Sequence, residues 1–246
     1  MSVVKNYVKS KYTIAFALVL CLSNFLPATA QPNATQPKRT ETDGSRRGRP
    51  SGRTATGSRG DCPKVNAPLT ALIPANNPGL TMEEYPQFWI FVPYQSKNIA
   101  IGEFVLQDKQ NNDVYRTNFT LPQAPGIVNV NLGKAKPLQI NQEYQWFFKI
   151  YCSSEKLSEP LFVKGWIQRI AKNSDLKRRL AAARTPEQRF TVYYENQIWY
   201  EAVTELAKHQ LIRPQNNSLP SDWSNLLERV GLEYLISEPV VGEVKL

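Results

Sequence analysis

Residues 143–152 alternate without a break. Tyr144, Trp146, Phe148, Ile150 and Cys152 share one phase, while Glu143, Gln145 and Lys149 share the other with Phe147 and Tyr151. Side chains that change sides at every residue belong to a strand, because a helix would scatter them around its axis. The first phase is wholly apolar, so this strand faces a core and carries Cys152 inward. Any fold for this chain must supply a sheet with a dry face here.

Six more short runs flank it. Candidate strands cover 67–73, 86–92, 99–107, 113–121, 126–132 and 160–168, with 142–152 as the sixth of seven. Turn signals separate them at Asn76-Asn77-Pro78-Gly79, Asn111-Asn112-Asp113, Pro122 to Gly126 and Gly133. Seven short strands at this spacing are the pattern of an immunoglobulin- or fibronectin-like β-sandwich. Leu138 lies upstream of Tyr144 at a spacing seen in the tyrosine corner of such sandwiches, where the hydroxyl bonds upstream backbone. Phe88 to Val92 is a continuous apolar run, which suits a central strand covered on both faces.

After Ile170 the pattern changes to helical. Asn173 or Ser174 opens a short helix to about Arg184. Thr185, Pro186 and Gln188 form an N-terminal signal: a capping Thr, Pro in the first turn, and Gln three residues after the cap. A long helix is predicted from there to about Gln210, and a third from Ser221 or Asp222 through Val230. The expected fold class is α+β: a seven-stranded sandwich over 61–170, followed by a three-helix segment over 171–246 packed on it as one unit.

The first 60 residues are different. Lys5, Lys9 and Lys11 precede an apolar run from Tyr12 to Leu26, and Ala28-Thr29-Ala30 supplies small residues for cleavage. This is the three-part pattern of a secretory signal over 1–30, cut near Ala30. The expected location is therefore periplasmic or secreted. Residues 31–60 hold seven Lys or Arg against Glu41 and Asp43 and almost no core formers. They read as a disordered basic linker. Its Arg46, Arg47, Arg49, Arg53 and Arg59 are candidate weak contacts to an anionic surface. The whole chain has a net charge of +9, yet 61–246 is nearly neutral. The basicity belongs to the tail, and an exported chain with a neutral body has little use for nucleic acid.

Cysteine usage fits export. Loss of the leader removes Cys21 and leaves Cys62 and Cys152. An even pair in an oxidising compartment predicts one disulfide, closing a loop of about 90 residues, worth on the order of 4–5 kcal/mol in the chain-entropy picture.

Catalytic signatures are sparse. His209 is the only histidine, and its place near a helix end suits the helix dipole rather than a triad. The chain holds no Gly-x-Ser-x-Gly, phosphate-binding loop or His-Glu-x-x-His. No metal site or cofactor is expected. Carboxylates occur as Glu83-Glu84 before a strand and as Glu195, Glu201 and Glu205 in the long predicted helix, where a four-residue spacing usually faces solvent. Lys172, Lys177, Arg178, Arg179 and Arg184 make the first helix basic, which reads as a solvated face.

The order of Cys62-Pro63, Leu69 to Pro74, Phe88 to Pro93, Tyr144 to Cys152, Gly165-Trp166-Ile167, Ile198 to Ala202, and Asp222-Trp223 with Leu226-Leu227 resembles the cyanobacterial domain-of-unknown-function 928 family. The resemblance covers about 62–240. It implies an exported cyanobacterial protein and brings no catalytic residue with it.

The resulting expectation is a non-enzymatic interaction or binding module of the cell envelope. Its partner would be an envelope protein or a glycan. The aromatic set Tyr193, Tyr194, Trp199 and Tyr200 is the candidate surface. Two alternatives stand beside it: a carbohydrate-active hydrolase using acidic residues, and a membrane-surface protein held by the Arg-rich tail.

Overall fold

Alternation builds the sheets. A computed structural model describes residues 52–55, 62–74, 78–133, 135–155, 160–212 and 220–246, apart from the side chains of 220–221. These residues form an α+β body with two mixed sheets and four helices. The signal over 1–30 and most of the 31–60 linker lie outside the described residues.

The strands are β1 (Thr70–Ala71), β2 (Gly79–Thr81), β3 (Gln87–Val92), β4 (Ile101–Gln107), β5 (Asp113–Phe119), β6 (Gly126–Asn131), β7 (Glu143–Tyr151), β8 (Leu161–Arg169) and β9 (Val240–Glu243). One sheet has the order β1-β3-β6-β9, the other β2-β8-β7-β4-β5. Most pairs are antiparallel, but β2 runs parallel to β8 and β9 parallel to β6. All seven expected strands are present, yet the described residues hold nine, not seven. The additions, β2 and β9, are three and four residues long, too short to show a period of two. Strand β9 also shows that 171–246 is not purely helical: the chain leaves its last helix and returns to a sheet edge.

The helices are α1 (Ser174–Ala182), α2 (Pro186–Glu195), α3 (Trp199–Ile212) and α4 (Pro220–Arg229). Asn173 caps α1 by accepting from the Leu176 N–H. At α2, Thr185 and Gln188 exchange both bonds of a capping box, and Pro186 stands in the first turn. The single long helix expected from Thr185 to Gln210 is two helices, so the described residues hold four helices, not three. The break lies at Asn196 and Gln197. Asn196 turns its side chain back to the Val192 carbonyl at 2.7 Å. Gln197 takes a left-handed φ of 59°, and the Ile198 N–H then closes on the Tyr193 carbonyl at 2.9 Å. That geometry ends α2 in the way a helix C-cap does, and α3 leaves in a new direction.

Strand β3 lies at the centre of the core. Phe88, Ile90 and Val92 pack between the sheets with Phe104, Trp146 and Phe148. Trp89 and Phe91 point the other way, into a second cluster with Trp199, Leu206, Trp223 and Leu227 from the helices. Burial on both faces explains why this run carries no alternation. Strand β7 buries Tyr144, Trp146, Phe148 and Ile150 in turn and leaves the residues between them half-exposed.

Two local devices lock the sheets. The Tyr144 hydroxyl accepts from the Gln139 backbone N–H at 3.0 Å. Cys62 and Cys152 form a disulfide across 90 residues of chain, with Cα atoms 5.1 Å apart. The body also reaches back beyond the expected boundary at 61. Ala55 donates to the Leu69 carbonyl, Arg53 accepts from the Ala71 N–H, and Gly52 accepts from the Lys164 N–H.

Candidate functional site

The break between α2 and α3 sends the start of α3 into the seam between the sheets. Trp199 and Tyr200 are therefore only 8% and 3% exposed. The indole of Trp199 donates to the Leu72 carbonyl at 2.9 Å. The Tyr200 hydroxyl accepts from the Trp146 indole at 2.7 Å and donates to the Trp166 carbonyl at 3.0 Å. Its ring meets Phe88 edge-on at 5.4 Å. Burial holds the Tyr200 hydroxyl far above its ordinary titration range. The expected aromatic surface is thus corrected for two of its four members: Trp199 and Tyr200 are core. Tyr193 and Tyr194 remain half-buried.

Tyr193 and Tyr194 look into different concavities. Tyr194 lines a cleft of about 440 Å3 together with Pro74, Pro78, Leu80, Gln197 and the edge of Trp199. The Arg229 guanidinium lies 5.7 Å from the Tyr194 ring centre. Tyr193 lines a smaller cleft, about 250 Å3, with Glu83, Tyr85, Glu201, Glu205 and Lys208. The larger volume falls in the range of small-ligand sites.

The smaller cleft gathers three of the carboxylates singled out above. Glu201 is 8% exposed, although its spacing from Glu205 suggested a solvent face. One oxygen, Oε1, accepts from the Thr81 hydroxyl at 2.5 Å, the Met82 N–H at 2.8 Å and the Glu83 N–H at 3.1 Å. The other, Oε2, is buried with no hydrogen-bond partner among the described residues. Burial raises the Glu201 carboxyl above its ordinary value, against the lowering pull of its three donors. Glu205 holds Arg189 through two bonds of 3.0 Å. Glu83 pairs with Lys172 at 3.2 Å. Burial, then the charges of Glu201, Glu205 and Glu83, push the Tyr193 hydroxyl up to about 12.

The remaining carboxylates point elsewhere. Glu195 pairs with Arg179 and Glu84 with Arg169. Glu201 fastens α3 to the turn between β2 and β3, and Glu205 fastens α2 to α3. Sequence reasoning missed the Glu201 fastening. The one available clue was a lone carboxylate inside Trp199-Tyr200-Glu201-Ala202-Val203.

Of the candidate anion contacts, Arg46, Arg47, Arg49 and Arg59 lie outside the described residues. Arg53 is half-buried, and its guanidinium donates to the Val230 and Gly231 carbonyls after α4. It is a docking side chain rather than a free cation. His209 lies in the last turn of α3, with its Nε2 buried and unpartnered among the described residues. No group of three or more His, Cys, Asp or Glu side chains comes together in metal-binding geometry among those residues. No helix among them is long and apolar enough to cross a membrane.

No curated protein matches the chain. The family described as Domain of Unknown Function (DUF928) matches residues 54–240. That span takes in β1 to β8, the helices, the disulfide and the two clefts at the α2–α3 junction, and ends as β9 begins. With most of its length matched, the chain belongs to the DUF928 family.

Proposed function

We propose that this protein is a non-enzymatic binding module of the cell envelope, exported to the periplasm or beyond after cleavage near Ala30, with the α2–α3 junction as its contact surface. The cyanobacterial origin implied by the resemblance belongs to the same reading. The observation that carries it is the cleft of about 440 Å3 walled by Pro74, Pro78, Tyr194 and Trp199. It combines apolar walls with the polar ends of Gln197 and Glu195, as small-ligand and peptide sites do. The export pattern and the Cys62–Cys152 bond support placement in an oxidising compartment. The order β1-β3-β6 against β2-β8-β7-β4-β5 and the Tyr144 corner support an immunoglobulin- or fibronectin-like core, extended by β9. Such scaffolds carry many unrelated functions, so the fold adds no weight to the site.

The test is capture from envelope extract by three forms: the mature protein, a Tyr194→Ala variant and a deletion of 31–51, which spares the residues bonded to the body. Captured proteins and glycans are identified in each. A partner held by the mature protein and the deletion, and lost with Tyr194→Ala at unchanged secondary structure, supports this reading. A partner lost only with the deletion moves binding to the Arg-rich segment and favours a surface tether.

One observation favours a second reading, a carbohydrate-active hydrolase. Glu83, Glu201 and Glu205 line one cleft, and paired carboxylates drive glycoside hydrolysis. Against it, both Glu205 oxygens hold Arg189 and Glu201 Oε1 is fully engaged. Turnover of a glycan substrate that disappears with Glu205→Gln would establish this second reading over the first.

A further inference from the structure

The two oxygens of Glu201 are unequal. Oε1 accepts three donors, the hydroxyl of Thr81 at the end of β2 and the N–H groups of Met82 and Glu83 just after it. An oxygen so occupied has no lone pair left for a proton. Oε2 is buried and receives no donor among the described residues. A negative charge there would go uncompensated, and such a group holds its proton instead. The acid proton therefore sits on Oε2.

We propose that Glu201 is a proton-operated latch between α3 and the β2–β3 turn, closed when neutral and released when charged. The three donors on Oε1 favour the charged form, and the rest of the surroundings oppose it. The turn presents Glu83, which has Lys172 from the segment before α1 as its partner. Helix α2 presents Tyr193, and its Arg189 is occupied by Glu205. Helix α3 presents Glu205 and Lys208, along with Tyr200, whose hydroxyl is held by Trp146 and Trp166. The cleft thus sets two carboxylates beside Glu201, each already paired with a cation, together with the exposed Lys208. Burial of the Glu201 carboxyl acts in the same direction.

Ionisation would strain the one seam that Glu201 closes. Met82 packs there with Leu176, Val192 and Ile198 in a small cluster of its own. Release of residues 81–83 from α3 would loosen that cluster and widen the cleft of about 250 Å3. The latch belongs to the ligand-free protein, so its failure and the failure of the binding reading are separate results.

Amide exchange at Met82 and Glu83 tests it, corrected for intrinsic rates, from about pH 5 to about pH 8. The open form titrates near the ordinary value of 4.5 and the closed form above it. Protection should then fall about tenfold per pH unit between the open-form and closed-form values and level off above the second. In Glu201→Gln, which keeps Oε1 and places an N–H where the proton was, protection should be flat. Flat protection in the natural protein, or the same slope in Glu201→Gln, overturns the latch. If the variant does not fold, the carboxyl carbon shift of Glu201 in the natural protein decides. A carboxyl that titrates above the ordinary 4.5 upholds the proposal, and one that titrates at or below it overturns it.

Discussion

The ring of Tyr200 fills the space in which a side chain at Gly79 would stand. A Cβ added at Gly79 would lie 2.5 Å from Tyr200 Cε2. The ring has little freedom to retreat, because its hydroxyl is held by the Trp146 indole and the Trp166 carbonyl. Strand β2 reaches β8 only because residue 79 lacks a side chain. Gly79→Ala should therefore destabilise the protein by about 1–3 kcal/mol, the usual range for overpacking. Gly133→Ala is the control, since its nearest neighbour would be the Asn131 side chain at 3.6 Å. Urea midpoints of the two variants check the contrast.

Tyr144 ties the start of β7 to the preceding loop with one hydrogen bond, from the Gln139 N–H. Tyr144→Phe keeps the ring in the core and removes the acceptor. A loss of about 0.5–1.5 kcal/mol is expected, with the largest rise in amide exchange at Gln139. An unchanged Gln139 rate would mean that the bond does not persist in solution.

The disulfide joins the segment before β1 to the end of β7. Its removal by Cys62→Ala with Cys152→Ala should cost about 2–5 kcal/mol. For a body of this size that lowers Tm by roughly 5–15 °C. Reduction of the natural protein should give the same Tm as the double variant in a calorimetric scan.

Glu103 supplies an acid-sensitive contribution. Burial opposes its charge, but the bonds from Lys149 and Arg116 outweigh it, and its carboxyl titrates below the ordinary 4.5. A group lowered by folding stabilises the native state above its unfolded value. That contribution is lost as pH falls through the folded value. Stability should decline below about pH 4.5, and Glu103→Gln should flatten that decline in urea midpoints measured against pH. Glu201 has the opposite sign. Its raised value adds stability that is complete below 4.5 and is lost as pH rises through the folded value.

The strands were legible wherever one face was dry. Residues 143–152 show it best, because period-two burial leaves its mark directly on the residues. Strands β2 and β9 were not legible, since three or four residues cannot display a period. The helix break was hidden for a different reason. Tyr193, Tyr194, Ile198 and Trp199 continue a helical spacing across Asn196 and Gln197, so the apolar pattern runs on where the backbone does not. The candidate site was only half legible. Periodicity marks Trp199 and Tyr200 as apolar, but whether a second layer covers them depends on where α3 points, and that is set by the break. Glu201 was misread by the same rule. Its spacing from Glu205 suggests solvent, while the Thr81 to Glu83 turn that covers it comes from more than a hundred residues earlier in the chain.

The way the N-terminal segment joins the body fixes how a pull on it would travel. Tension would first meet Gly52 bonded to Lys164 and residues 53–55 paired with β1, a short grip loaded along its length. Behind that grip stands the Cys62–Cys152 bond. It hands the load straight to the end of β7, a strand paired on both sides. The chain between the two cysteines, with strands β1 to β7, lies inside a covalent ring and adds nothing to the extensible length. A molecule tugged by its leading segment would give up about ten residues of slack, and any further extension would have to come from β8, the helices and β9, which lie outside the ring.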